Sequence, residues 1–195
     1  GFDTDVNGAA LGEGRWGAGA GLDDFVYVTV GTGIGGGVVS NGKAIHGLVH
    51  PEVGHLRIPR HPDDTYPGRC PFHGDCLEGV ASGPAIADRW GPSAQDLGAD
   101  TPRAVELEAF SLGYAMANLA LVLSPQRIIL GGGVMQLPGL LQATRRRMLE
   151  ALGGYVDSAA LDRGACAYVV APQLGGGSGI AGALVLAERA AYLIE

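Results

Sequence analysis

Residues 25–43 read FVYVTVGTGIGGGVVSNGK. Valine alternates with Phe25, Tyr27 and Thr29 up to Val30, the pattern of a strand with two distinct faces. The run GTGIGGG, Gly31 to Gly37, is expected to be a turn, because so many glycines weaken a strand interior. Val38-Val39 resumes a strand, and Ser40-Asn41-Gly42-Lys43 carries the Asn-Gly pair of a tight hairpin. Working outward, the same grammar recurs twice in the second half. Residues 127–130 form a short apolar strand, followed by Gly131-Gly132-Gly133 and a helix over residues 137–152. Residues 167–171 form another strand, followed by GGGSGIAGA at 175–183 and a helix over residues 178–193. Strands that hand over to helices through glycines predict an α/β fold, in which ligands gather at the carboxyl ends of the strands.

Between these halves the composition changes. All five histidines (His46, His50, His55, His61 and His73) and five prolines fall within residues 46–76, which reads as an irregular excursion. Residues 77–90 are expected to be helical and residues 91–101 a linker with Pro92 and Gly98. Residues 104–123 are apolar at helical spacing and stop at Ser124-Pro125. Near the start, residues 9–17 are expected to form a short helix in a Gly/Ala-rich segment.

Hydrophobic residues make up 47% of the chain and charged residues 17%, so a core can be buried and global disorder is excluded. Thirteen Lys and Arg against twenty Asp and Glu give a net charge of −7. No basic cluster exceeds Arg145-Arg146-Arg147, so no nucleic-acid partner is expected. No apolar run is expected to reach the roughly 18 residues that cross a bilayer, and no membrane partner is expected. Three cysteines, with no signal peptide read, argue against a disulfide framework and for the cytoplasm. Cys166, in an apolar stretch, is expected to be a small buried hydrophobe. The chain opens on Gly1 inside a motif, so it is expected to be a piece of a longer protein.

Four constellations carry chemistry. In GTGIGGG, backbone N–H groups free of side chains can cradle phosphate oxygens, and Thr32 adds a hydroxyl; the alternative is a tight glycine bulge. Gly131 to Gly133 and Gly175 to Gly179 both sit where a strand meets a helix and could flank a nucleoside; the alternative is close helix–strand packing. Cys70, His73 and Cys76 form C-x2-H-x2-C, and His55, fifteen residues earlier, completes four soft ligands. Thiolates with imidazoles are zinc chemistry, and four protein ligands leave no open position for water, so the site reads as structural. His61 is a substitute for His55, while His46 and His50 read as ordinary loop residues. Asp3, Asp5, Glu13, Glu52 and Glu78 each lie near a glycine or histidine. Solvation is the default for a carboxylate, but Asp5 in its Gly/Ala-rich segment could take a proton from a substrate hydroxyl.

Together these residues resemble the ROK family of sugar kinases and sugar-responsive repressors over nearly the whole chain. DTDVNGAALGE (3–13) is similar to the family's catalytic segment, and YVTVGTGIGGGVV (27–39) to its second phosphate loop. HPEVGH (50–55) is similar to its sugar-binding segment, CPFHGDCLEG (70–79) to its zinc knuckle and IILGGGV (128–134) to its nucleoside side. The His-containing knuckle most resembles the bacterial fructokinase branch. The resemblance implies an actin-like ATPase fold of two ribonuclease H-like lobes. This chain is expected to be the larger, C-terminal lobe over 1–195, with a zinc-knuckle insertion at about 46–80.

The activity implied is transfer of a phosphoryl group from Mg-ATP to the 6-hydroxyl of D-fructose. Asp5 matches the general base. Glu52, His55 and Glu78 match sugar contacts, with Asn7 beside them. Gly31, Thr32, Gly33 and Gly35 match the phosphate loop, and Gly132 and Gly133 the adenosine side. His55, Cys70, His73 and Cys76 match structural zinc ligands. Thr4 stands where the family usually carries Asn, and the family's first phosphate loop, Asp-x-Gly-Gly-Thr, is absent, so the chain alone is expected to be inactive. Alternatives are a repressor of the same family, a kinase for glucose, mannose or N-acetylmannosamine, and a purely structural zinc domain. The resemblance suggests a homodimer, with residues 104–123 a candidate contact.

Overall fold

The computed structural model describes residues 3–91 and 97–192. Five strands, β1 (Phe25–Val30), β2 (Ile34–Ser40), β3 (Lys43–Ala44), β4 (Arg127–Gly131) and β5 (Val169–Val170), form one sheet in the order β3-β2-β1-β4-β5. β2 runs antiparallel to β1 and β3, while β1, β4 and β5 are mutually parallel along the sheet. The hairpin between β2 and β3 turns on Asn41 and Gly42, whose φ values of 50° and 70° are those of the tight turn that Asn-Gly favours.

The helices are α1 (Asp5–Trp16), α2 (Leu77–Ala81), α3 (Gly83–Trp90), α4 (Thr101–Leu123), α5 (Leu140–Leu152), the single turn α6 (Asp162–Ala165) and α7 (Ser178–Tyr192). The alternation along β1 sorts them into layers. Val26, Val28 and Val30 face a core with Leu112 and Met116 of α4 and Leu140 and Met148 of α5. Phe25 and Tyr27 face the other way, onto Ala9 and Ala10 of α1, which packs in turn along α7. Contrary to the expectation from the apolar runs, the helical stretch Gly98–Leu123 is long and apolar enough to cross a membrane. Of its most apolar window, 61% is buried inside the fold, as befits a central core helix.

The glycine run departs most from its sequence reading. Only Gly31, Thr32 and Gly33 form the turn; Gly35, Gly36 and Gly37 lie inside β2, paired with Thr29, Val28 and Tyr27. The reason is tertiary. A Cβ on Gly37 would lie 2.5 Å from the Val6 carbonyl oxygen and 2.9 Å from the Ala10 Cβ. A Cβ on Gly36, on the opposite face, would lie 2.5 Å from Val53 Cγ2. The glycines therefore admit a helix on one face and the Val53–His55 turn on the other.

Other boundaries move for local reasons. α1 starts at Asp5, not residue 9, because the Thr4 hydroxyl accepts a hydrogen bond from the Asn7 N–H and caps it. The helix expected over 77–90 breaks at extended Ser82, and Pro84 opens α3. The helix expected from residue 137 begins at Leu140, after Gly139 at φ 82°. Helix α4 begins at Thr101, inside the expected linker, of which residues 92–96 lie outside the described residues. Residue 193, the expected end of the last helix, also lies outside them. Cys166 is exposed rather than buried. Arg163, Gly164 and Ala165, all at positive φ, precede it, and its Sγ lies 3.6 Å from Arg145 Nη1.

Candidate functional site

The carboxyl ends of β1, β4 and β5 lie along one edge of the sheet, and two clefts open there. The first, of about 390 Å³, is lined by Asp5, Val6, Thr29, the segment Gly31 to Gly35, and Glu78. Asp5 stands in the first turn of α1, where the helix dipole favours negative charge. One of its oxygens accepts the Val6 N–H at 2.9 Å, and the side chain is otherwise exposed to the cleft. Glu78 comes from α2 and accepts the Ile34 N–H at 2.8 Å. A Cβ on Gly33 would lie 2.8 Å from that same carboxylate, so a side chain there would push Glu78 off the Ile34 N–H. The packing of α1 on the bare face of β2 thus sets Asp5 beside the turn at Gly31–Gly33.

The second cleft, of about 450 Å³, is lined by Tyr27, Thr29, Gly131 to Gly133, Pro172, Gly175, Gly176, Ser178 and Gly179, among others. The two glycine clusters predicted to act together do share it. Gly132, at φ 101°, packs against the Val30 backbone, the close-packing role. Gly133, Gly175, Gly176 and Gly179 have no atom within 4 Å of an added Cβ. Packing does not explain these four glycines; they leave the cleft wall free of side chains.

The third constellation also assembles. Ligand atoms of His55, Cys70, His73 and Cys76 all lie within 4.8 Å of one another. His55 Nδ1 is 3.8 Å from Cys70 Sγ and 3.5 Å from Cys76 Sγ, and His73 Nδ1 is 3.6 Å from Cys70 Sγ. A tetrahedral ion with Zn–S of about 2.3 Å and Zn–N of about 2.0–2.1 Å places its nitrogen and sulfur ligands about 3.6 Å apart. The donors fit such an ion in both chemistry and spacing. Cys70 and Gly74 exchange backbone hydrogen bonds at 3.0 and 2.9 Å, and Gly74 sits at φ 67°, so the knuckle is a closed turn. Burial pushes both thiols up. At Cys70 the backbone N–H groups of His73 and Phe72 overcome burial and hold the thiol below its usual value, whereas Cys76 stays above it.

Other expected residues fall elsewhere. Glu52 is exposed, pairs with His50 at 2.9 Å and is not part of the wall around Asp5. Asn7 is fully buried; its amide nitrogen donates to Asp3 at 2.7 Å, and His46 Nε2 lies 3.1 Å from the same Asp3 oxygen. Burial raises the Asp3 carboxyl, but these contacts outweigh it and hold Asp3 below the usual carboxylate range. His61 is outside the four-ligand group and packs edge-on against Phe110. Sequence reasoning passed over Glu13 as a solvated carboxylate, yet it is fully buried and accepts hydrogen bonds from Ala18, Gln173, Leu174 and Ser178. The one signal available was its setting within Gly8 to Gly14, a stretch otherwise of glycine, alanine and leucine.

Comparison with known proteins places the geometry in context. The ROK family profile matches residues 1–190. A fructokinase of Zymomonas mobilis is 48% identical over 191 residues, and a Bacillus subtilis relative is 49% identical over 190. Each alignment covers 97% of this chain, but only 62% and 63% of the relatives' own lengths, so the chain spans less than two thirds of either. Among solved structures, a ROK hexokinase from Thermus thermophilus superposes with a TM-score of 0.76 at 29% identity, covering 93% of this chain and 62% of that one. A ROK family glucokinase from Streptomyces griseus, in complex with glucose and AMPPNP, gives 0.70 at 30% identity, covering 96% and 68%.

Proposed function

Because the chain belongs to the ROK family, we propose that it supplies the larger lobe of a two-lobed kinase that phosphorylates a hexose, D-fructose first among them, at the 6-hydroxyl. The observation that carries this reading is the shared cleft of Asp5 and the Gly31–Gly33 turn. Asp5 orients the sugar hydroxyl and takes its proton as the new O–P bond forms and the bond to ADP breaks. In this reading the Thr32 and Gly33 N–H groups serve the phosphates of Mg-ATP, while the Gly31 N–H closes the turn onto the Gly33 carbonyl. The second cleft takes the nucleoside between Gly132-Gly133 and the turn at Gly175–Gly177. Fructokinase names among the relatives at 40–48% identity support fructose over glucose as the acceptor.

His55, Cys70, His73 and Cys76 would hold a zinc ion, which ties the 53–76 excursion to itself and supplies no reaction step. With His55 Nδ1 turned to the thiols, its Nε2 remains for a sugar hydroxyl. Glu78 keeps a second oxygen for the same purpose, whereas Glu52 would have to leave its pair with His50 to reach the sugar. We also propose a cytoplasmic homodimer, as the family resemblance implies; sedimentation of the complete protein checks the dimer. The activity is tested by a coupled assay of the complete protein across hexoses. Fructose-dependent ADP release above that with glucose, mannose and N-acetylmannosamine is expected; no hexose-dependent release removes the kinase reading.

A further inference from the structure

Glu13 lies eight residues along α1 from Asp5, about 12 Å up the helix axis. Its carboxylate is fully buried, and each oxygen accepts two hydrogen bonds. Oε2 takes the N–H groups of Ala18 at 2.7 Å and Gln173 at 3.1 Å. Oε1 takes the Leu174 N–H at 3.0 Å and the Ser178 hydroxyl at 2.7 Å. Three of these four donors belong to the Gln173–Ser178 segment, which leads into α7 and lines the 450 Å³ cleft. The helices themselves touch backbone to backbone. A Cβ on Gly12 would lie 2.5 Å from the Ser178 carbonyl oxygen, and a Cβ on Gly182 would run into the Gly8 carbonyl. A buried carboxylate with all its bonds made is costly to disturb, because any donor that leaves stays unsatisfied.

We infer that Glu13 is the positioning residue of the nucleotide side. It holds the open turn Gly175–Gly177 against the helix that carries Asp5, so one rigid element fixes both the base and the nucleoside wall. Glu13 lines neither cleft and acts through the turn. The inference rests on the nucleotide reading of that cleft.

The test uses the complete protein with Glu13→Gln and Glu13→Asp. Gln keeps the size but sets an NH₂ group against two donors, so the turn must move. Asp keeps both oxygens but withdraws them by one methylene, and it is expected to retain part of the function. Calorimetry with Mg-AMPPNP is expected to show the nucleotide Kd raised about tenfold or more in Glu13→Gln and less in Glu13→Asp. The fructose Kd stays within about twofold of the unsubstituted protein, since the residue acts on the nucleotide side alone. In the steady state the KM for ATP rises while that for the sugar holds. Unchanged nucleotide affinity in both variants overturns the inference, as does an equal fall in both affinities, which marks a merely structural role. If Glu13→Gln does not fold, Glu13→Asp carries the same comparison. An unsubstituted protein that binds AMPPNP but phosphorylates no hexose removes the kinase reading alone; one that binds no AMPPNP removes both.

Discussion

Substituting Gly37 by Ala tests whether the bare face of β2 is what places Asp5. The added Cβ would lie 2.5 Å from the Val6 carbonyl oxygen, where ordinary contact begins at 3.4 Å. Val6 O belongs to the helix backbone and cannot rotate away, so α1 must retreat by about 1 Å. Overpacking of this kind costs about 1–3 kcal/mol of stability. A displacement of about 1 Å at a reacting group costs up to about a hundredfold in turnover. The complete protein carrying Gly37→Ala is therefore expected to melt several degrees lower and to lose one to two orders of magnitude in kcat. Gly36→Ala is the internal comparison: its Cβ points to the other face, 2.5 Å from Val53 Cγ2, and displaces the turn that carries His55 instead. Its effect is expected in sugar KM and metal retention. A Gly37→Ala protein with unaltered kcat and melting temperature would refute the claim that this contact sets the site.

Two further outcomes follow from the same structure. Mass-spectrometric metal analysis of the purified chain is expected to find about one zinc per molecule, and Cys76→Ser to abolish it and lower the melting temperature. The fully buried Glu108 has its pKa pushed up to about 8 by burial, opposed by Arg89 and reinforced by Asp64. A folded value above the ordinary 4.5 means that its contribution to stability is complete below pH 4.5 and is lost as pH rises through about 8. Denaturant melts are expected to lose up to roughly 5 kcal/mol over that window, and Glu108→Gln to flatten the slope. A slope unchanged in the variant would contradict this.

What could be read from the sequence is what local spacing encodes. Cys70, His73 and Cys76 are neighbours in the chain, and their grouping survives intact in space. The Asn41-Gly42 turn and the strand–glycine–helix units behave likewise, since turn chemistry and periodicity are short-range. The readings that failed depended on distant partners. Gly35 to Gly37 look like a turn until α1 and Val53 are packed against them. Glu13 looks like a surface carboxylate because three of its donors lie some 160 residues away. The start of α1 was hidden because its cap, Thr4, sits in a segment read for chemistry rather than for helix signals. Cys166 was misplaced because positive φ values at Arg163 and Ala165, unusual for residues with a Cβ, cannot be inferred from its apolar flanks.

The central claim concerns a single carboxylate, and Asp5→Asn in the complete protein addresses it with little change of volume. The account predicts that fructose-dependent turnover with saturating Mg-ATP falls at least about a hundredfold while calorimetric fructose binding is retained. Turnover within a few-fold of the unsubstituted enzyme would contradict it.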